Sequence, residues 1–268
     1  MAVCSDPRIT YLNKLGYNVV KVPRSDLEPL HVLGRDNKAL DDLGQLSTIW
    51  TSSIAEPKSV VADATNINGS STEDLKISVG LDILSSVLGA MGVQAPKLSV
   101  AYSKAKKLQF TFTNVKIVRV APLEVGKYLS HGDLDTSSPF ASFFLDHEKE
   151  AYVVTEVMKS SSIKVTAKDE HGTKVSVDLP DIKQIVGASA SVEPASSNDS
   201  ELIYEGKEML AFGFKVYGIS FANGTWTIHG QPAKGGMAYA AAHEPEAILL
   251  ASGLMTGLPI RKAAAARK

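Results

Sequence analysis

The sequence lacks the residue patterns that most enzyme and secreted-protein motifs require. Its single cysteine, Cys4, excludes an internal disulfide. Its six histidines form no H-E-x-x-H pattern and none lies near a cysteine pair, so a zinc site has no support. The chain also has no nucleophile elbow, phosphate-binding loop or dinucleotide fingerprint. These absences disfavour an enzyme, a metal site or a dissociable cofactor, and an enzyme stays open only if its catalytic groups assemble from distant positions of the chain.

Strong charge of one sign and long apolar runs are also missing. The 28 lysines and arginines almost balance the 29 aspartates and glutamates, so no overall field favours nucleic acid or an anionic membrane. The longest apolar run, residues 247–260, falls short of the roughly 20 residues of a membrane-spanning helix. No export signal opens the chain. We expect a cytoplasmic protein that has no nucleic-acid partner.

A basic run is the local exception to this balance, because residues 97–119 hold six lysines and arginines and no acidic residue. A solvated strand face is the ordinary interpretation. A nucleic-acid patch would need exposed aromatic residues among the basic ones, and Phe110 and Phe112 fall on the apolar side of their strand. Contact with anionic lipid headgroups is the third interpretation.

Enough apolar sequence is present for a substantial core, at 44% of 268 residues. Residues 6–16 predict a short helix and residues 17–24 a strand. Residues 25–70 predict irregular structure with short helical turns. Residues 75–91 predict a helix that three glycines weaken. Either this segment changes conformation or it is a buried helix with close packing at Gly80, Gly89 and Gly92.

Strand patterns dominate the middle of the chain. Alternation over residues 98–120 predicts a strand whose phase slips near Asn114, through a bulge or through burial of both faces. Short helices are predicted over residues 122–132 and 139–146. Two strands are then predicted on either side of a turn at residues 160–162.

A hairpin is predicted next. A tight turn at His171 and Gly172 leads into a strand over residues 175–179, with one apolar and one charged face. Further strands are predicted over residues 201–204, 209–221 and 226–229. Eight to ten strands with few helices predict an α+β domain: a twisted, mostly antiparallel central sheet with several short helices.

The composition changes at Gly230. Residues 230–236 have the composition of a flexible linker, and residues 243–254 predict a helix that a basic, alanine-rich tail follows. The sequence therefore predicts three parts: a domain over residues 1–229, a linker over 230–242 and a C-terminal peptide over 243–268.

The opening residues resemble the N-terminus of the bacterial gasdermins. The matching residues are Cys4, Asp6-Pro7, Tyr11-Leu12, the run from Gly16 to Arg24, Pro29-Leu30 and Leu33-Gly34. Beyond Gly34 the likeness lies in length, β-rich order and a short apolar C-terminal extension. The resemblance implies the fold of a gasdermin pore-forming domain.

The resemblance also implies a function. Gasdermins are pore-forming proteins that are held inactive in the cytosol as monomers. We expect a host-encoded protease, caspase-like or trypsin-like, to cut the linker over residues 230–242. The remaining domain would then assemble with membrane lipids into a homo-oligomeric ring in the bacterial inner membrane, which causes cell death in antiphage defence.

The C-terminal peptide supplies a physical candidate for inhibition. Each of six apolar side chains would contribute about 1.5 to 3 kcal/mol if buried against the sheet domain: Ile248, Leu249, Leu250, Leu254, Met255 and Leu258. A cut in the linker would replace a millimolar effective concentration by a freely diffusing peptide. We therefore expect activation to be irreversible.

For the pore itself, residues 151–192 are the better candidate for a membrane hairpin. Spanning strands need about 9 to 11 residues of alternating polarity. We expect Lys164, Lys168 and Asp178 to face water and five residues to face lipid: Ile163, Val165, Val175, Val177 and Leu179. An ordinary half-buried hairpin has the same periodicity. The resemblance implies a second hairpin within residues 40–95.

Cys4 matches the N-terminal cysteine that is acylated in bacterial gasdermins, which implies a covalent palmitoyl or similar acyl group. Taken alone, a lone cysteine is more typical of an inert buried thiol. Because one acyl chain anchors a protein only marginally, the expected role is to assist insertion.

Two other classes of protein stay open: a soluble non-enzymatic binding module and a soluble hydrolase, each with a permanently docked C-terminal helix. Truncation of the binding module would unfold it without making it lytic. The hydrolase would need histidines and acidic residues that converge in one pocket.

Overall fold

Three long antiparallel strands form the centre of the molecule: β7 (Lys107–Arg119), β9 (Lys149–Lys168) and β11 (Glu201–Ala222). The computed structural model describes residues 17–36, 39–64, 74–93, 97–146, 148–187, 190–222, 224–230 and 261–262. Strand β9 lies between β7 and β11 and pairs antiparallel with both. These strands belong to an eleven-stranded sheet, which confirms the predicted α+β class with a mostly antiparallel central sheet.

Shorter strands extend the sheet around this centre. Strand β1 (Asn18–Arg24) pairs with β11, β2 (His31–Asp36) with β9, and β3 (Ala39–Gln45) with β2. On the other side, β5 (Val60–Asp63) and β6 (Leu75–Lys76) pair with β7. The remaining strands are β4 (Trp50–Ser52), β8 (Gly132–Leu134), β10 (Ala190–Pro194), β12 (Thr225–Gly230) and β13 (Arg261–Lys262).

Five α-helices connect strands within the described ranges: α1 (Ile77–Ala90), α2 (Leu98–Ala101), α3 (Pro122–Ser130), α4 (Ser142–Leu145) and α5 (Leu179–Val186). The predicted strand after Tyr17, the helix within residues 75–91 and the two short helices after residue 122 are therefore confirmed. The predicted strand over residues 98–120 begins only at Lys107, because helix α2 occupies its first part.

The prediction of irregular structure over residues 25–70 is wrong for much of that range. Strands β2 to β5 lie there, with a single 3-10 turn at Leu46–Thr48. Strand β2 forms because Val32 and Leu33 are buried and its backbone pairs with β9, far away in sequence. Long-range pairing of this kind outweighs the local preference of a Gly- and Asp-rich stretch.

The predicted turn at residues 160–162 is also wrong, because β9 runs through it without a break. Its serines are held in the ladder: Ser160 Oγ donates to the Thr113 carbonyl at 2.6 Å, and Thr113 Oγ1 donates to Ser162 Oγ at 2.7 Å. Likewise, the two strands predicted over residues 201–204 and 209–221 are one strand, β11.

The predicted second strand of the hairpin is wrong in this state. The turn at His171 and Gly172 is confirmed, with Gly172 at φ +86°. Residues 175–178 then lie outside any strand, and Leu179 begins helix α5. The reason is local: Asp178 Oδ1 accepts the Asp181 N–H at 3.1 Å as an N-cap, and proline occupies the first turn.

Several predictions fall outside the described residues. These are the helix over residues 6–16 with Cys4, the linker after Gly230, the helix over residues 243–254, and the inhibitory contacts of Ile248, Leu249, Leu250, Leu254, Met255 and Leu258.

Candidate functional site

One face of the central strands is apolar and buried where β7, β9 and β11 run side by side. Successive side chains of a strand point to opposite faces, so every second residue contributes to it. We call this surface the apolar face; its members are at most 6% exposed and are Leu108, Phe110, Phe112, Ile163, Val165, Leu202 and Tyr204.

Three helices cover the apolar face, and we call α1, α2 and α5 the cover. They place buried apolar residues in the same cluster as the strand residues: Ile83, Leu84, Val87, Leu88, Leu98, Ala101, Ile182 and Val186. Helices α1 and α2 belong to the connection between β6 and β7, whereas α5 belongs to the connection between β9 and β10. Two chain connections therefore keep the apolar face from water.

The opposite face of the same strands is polar. Glu201 Oε1 lies 3.7 Å from Lys164 Nζ and 3.2 Å from Lys174 Nζ, and Lys168 Nζ donates to Asp74 Oδ1 at 2.6 Å. Burial acts to raise the pKa of Glu201, but hydrogen bonding and charge from Lys174 and Lys164 outweigh it and hold that pKa below the ordinary glutamate value. The sheet is thus amphipathic before any conformational change.

All five residues predicted to face lipid belong to one core cluster or pack against it. Ile163 and Val165 belong to the apolar face, and Val177 is buried in the same cluster at 6% exposure. Val175 and Leu179 are partly buried and pack against that cluster. Of the residues predicted to face water, Lys164 and Lys168 form the ion pairs of the polar face.

One irregularity in β7 and one in β11 lie at the same level, on either side of β9. Asn114 of β7 has a left-handed φ of +51°, and it lies beside Ser161 of β9, to which its Nδ2 donates at 3.1 Å. In β11, Glu205 pairs with Ser162 of β9 and Leu210 pairs with Ser160. Strand β11 therefore advances five residues over a stretch in which β9 advances two. The predicted phase slip near Asn114 is confirmed, and it accompanies a bulge in β11.

This level divides the sheet into two parts. On one side lie the apolar face and its cover. On the other side, β9 is buried on both faces: Ala151 and Val153 join one core cluster, whereas Tyr152 and Val154 join another. We call this second part the base. Residues 151–154 of the base lie in clusters that hold no residue of the cover, so the two parts can differ in what a conformational change exposes.

Intramolecular contacts occupy part of the basic run. Lys107 Nζ donates to the Glu170 carbonyl at 2.9 Å, and Lys116 pairs with Asp63. Throughout the described ranges, no helix is long and apolar enough to cross a bilayer. In that same part of the chain, no three His, Cys, Asp or Glu residues group as metal ligands.

Two tyrosines in the core cluster of the apolar face make a contact that the sequence does not predict. The hydroxyls of Tyr102 and Tyr204 lie 2.6 Å apart, and both side chains are at most 1% exposed. Burial raises the pKa of both, so both phenols stay neutral at physiological pH. No local pattern predicts the contact, because the partners are 102 residues apart.

Comparison with known proteins decides the family. The sequence profile described as the Bacterial Gasdermin Family matches residues 20–227, which span the central strands, the cover and the base. The chain belongs to the bacterial gasdermin family. Gasdermins are pore-forming proteins and the family is not enzymatic. The family that the opening residues suggest is therefore confirmed.

Individual gasdermins agree with this assignment along most of the chain. A gasdermin from Vitiosangium sp. is 39% identical over 245 residues, covering 90% of this chain and 92% of its own. One from a Desulfuromonadales bacterium is 35% identical over 227 residues, covering 84% and 85%. The structure of a bacterial gasdermin from Bradyrhizobium tropiciagri shares the fold, with a TM-score of 0.62 at 15% identity and coverage of 84% and 91%.

Proposed function

We propose that this gasdermin is an autoinhibited pore-former. A host-encoded protease, caspase-like or trypsin-like, cuts the linker over residues 230–242 and frees the C-terminal peptide over residues 243–268. The domain over residues 1–229 then assembles as a homo-oligomeric ring in the bacterial inner membrane and permeabilises it. Cell death in antiphage defence follows. Before the cut, the protein is a cytoplasmic monomer.

The observation that carries this proposal is an apolar face that two chain connections keep buried. In the covered part, β9 contributes only residues 162–168, so the residues that follow it, including Val175, Val177 and Leu179, would have to become strand to reach the roughly 9 to 11 residues that a spanning strand needs. If the cover leaves, the strands present an apolar surface to lipid and a polar one to water. If the strands close into a ring, every backbone N–H and C=O group pairs with a neighbouring strand. The hydrocarbon core of a membrane requires this pairing because it contains no water to bond these groups.

Pairing at the C-terminal end supports inhibition by that end of the chain. Strand β13 runs parallel to β3, with Arg261 in register with Asp41 and Lys262 in register with Asp42. Among the described strands, β13 is the last in the order that runs through β9, β2 and β3. Uncut, this strand stays at millimolar effective concentration; once freed, a peptide dilutes away.

Dye release from vesicles of phosphatidylethanolamine, phosphatidylglycerol and cardiolipin tests the proposal. A protease recognition sequence is inserted between residues 230 and 242. We expect release after cutting and none from the same protein uncut; the parent chain treated with the same protease is the control. Equal release from cut and uncut protein contradicts autoinhibition. Unfolding without release on cutting favours a binding module with a docked C-terminal element.

Acylation of Cys4 by a palmitoyl or similar group is part of the proposal, as an aid to insertion. Intact-protein mass spectrometry of material from the native host should show an added acyl mass that Cys4→Ala lacks. An unmodified mass in the parent chain would remove this step without affecting the pore itself.

A further inference from the structure

The tyrosine pair lies inside a cluster that is otherwise apolar. Tyr102 and Tyr204 are 1% and 0% exposed, with their hydroxyl oxygens 2.6 Å apart. Among the described residues, each hydroxyl has the other as its hydrogen-bond partner. A buried hydroxyl that loses its partner pays its desolvation penalty, whereas replacing both hydroxyls leaves no group unsatisfied. The two side chains therefore depend on each other.

The pair joins one connection of the cover to the central sheet. Tyr102 follows α2 directly, in the connection that enters β7, and Tyr204 projects from β11. One residue before Tyr102, the Ala101 carbonyl accepts the Asp178 N–H at 3.1 Å. Asp178 in turn caps α5 through the Asp181 N–H. A continuous series of contacts thus links β11, α2 and α5.

We propose that the Tyr102–Tyr204 pair holds α2 on β11 and, through the Ala101 carbonyl, also holds the start of α5, so that loss of the pair loosens both helices. If α2 moves, the phenol pair breaks and α5 loses the backbone bond to Ala101. If α5 moves alone, the phenol pair still holds α2. Release of α2 therefore releases α5 as well, whereas α5 can open without α2. This inference rests on the proposed function for its biological role.

Hydrogen exchange of the intact, uncut protein tests the coupling without a membrane. Each single variant, Tyr102→Phe or Tyr204→Phe, leaves one buried hydroxyl without a partner, so the amides of α2 and of the start of α5 should both exchange about tenfold faster than in the parent chain. The double variant Tyr102→Phe/Tyr204→Phe leaves no hydroxyl unsatisfied, so both helices should exchange more slowly than in either single variant. Tyr128→Phe, which alters a buried tyrosine of helix α3, is the matched control and should leave both rates unchanged.

Dye release from cut protein supplies the second readout. Each single variant, Tyr102→Phe or Tyr204→Phe, should release dye about tenfold faster than the parent chain, because it leaves one hydroxyl without a partner. The double variant should release dye more slowly than either single variant. Single variants that leave the exchange of α2 unchanged, or that speed the exchange of α2 and leave α5 unchanged, overturn the proposal. Absence of release from cut parent chain overturns the proposed function instead, since the exchange result stands without it.

Discussion

Gly80 marks the closest approach of helix α1 to strand β7. A Cβ placed there would lie 2.8 Å from Leu108 Cβ, a distance at which one of the two must move. At Gly89, near the other end of the same helix, a Cβ would meet nothing within 4 Å. Of the two interpretations of this glycine-bearing helix, the buried helix with close packing fits Gly80.

Alanine substitutions separate these two glycines. Gly80→Ala should lower the free energy of unfolding by about 1 kcal/mol net. Overpacking costs about 1–3 kcal/mol, and the higher helix propensity of alanine offsets about 1 kcal/mol of that cost. Gly89→Ala should raise it by about 1 kcal/mol, because only propensity changes. Chemical denaturation measures both. Equal effects at the two positions would contradict close packing at Gly80.

Glu201 links strands β9 and β11 across the polar face. The Glu201 side chain is 16% exposed; its carboxylate forms ion pairs with two lysines and accepts a hydrogen bond from the Thr166 hydroxyl. The pKa of Glu201 in the folded protein lies below its ordinary value of 4.5. This carboxylate therefore contributes stability above the ordinary pKa, and the contribution is lost as pH falls through the lower folded value.

Glu201→Gln should reduce this pH dependence. The parent chain should lose up to about 1 kcal/mol more free energy of unfolding than Glu201→Gln between pH 6 and pH 3, roughly the range of a partly exposed ion pair. Glu205→Gln changes an exposed glutamate of the same strand and is the control. Identical pH profiles for the parent chain and Glu201→Gln would show that these lysine contacts do not stabilise the fold.

The sequence predicts strands well where alternation persists and fails where distant partners decide. The alternation of Leu108, Phe110 and Phe112 describes the strand as it stands. The serines at 160–162 favour a turn locally, yet β7 and β11 pair on either side of them and keep the strand continuous. No pattern within ten residues of these serines carries that information.

At the candidate site, the sequence predicts which apolar residues share one side of the structure but not their secondary structure. Val175, Val177 and Leu179 alternate as in a strand, and in the structure they lie in or against the same core cluster as the apolar face. The pair Asp178 and Pro180 is a helix-start signal that the alternation obscured. The sequence therefore predicts α1 of the cover but not α2 and α5, and it does not predict the contact between Tyr102 and Tyr204.

At the scale of the whole molecule, the sheet combines a base and a covered part. The base is buried on both faces of β9, so it has no apolar surface to offer without unfolding. The covered part has one such surface, held by α1, α2 and α5. We therefore expect the base to keep its structure in the pore and the covered part to change.

The proposed function requires the apolar face of the covered part to exchange its contacts with the cover helices for contacts with lipid. Val165→Cys and Lys164→Cys place thiols on neighbouring residues of β9 that point to opposite faces. Cut protein in vesicles is treated either with a lipid-partitioning maleimide or with a charged, water-soluble one. Peptide mass spectrometry reads each position separately from Cys4.

We predict that the thiol at position 165 is protected in uncut protein and, after cutting, reacts with the lipid-partitioning maleimide and resists the charged one. The thiol at position 164 should show the reverse preference after cutting. Continued protection of position 165 from both reagents in protein that releases dye, or equal reaction of both positions with the charged reagent, would contradict the claim that this face meets lipid.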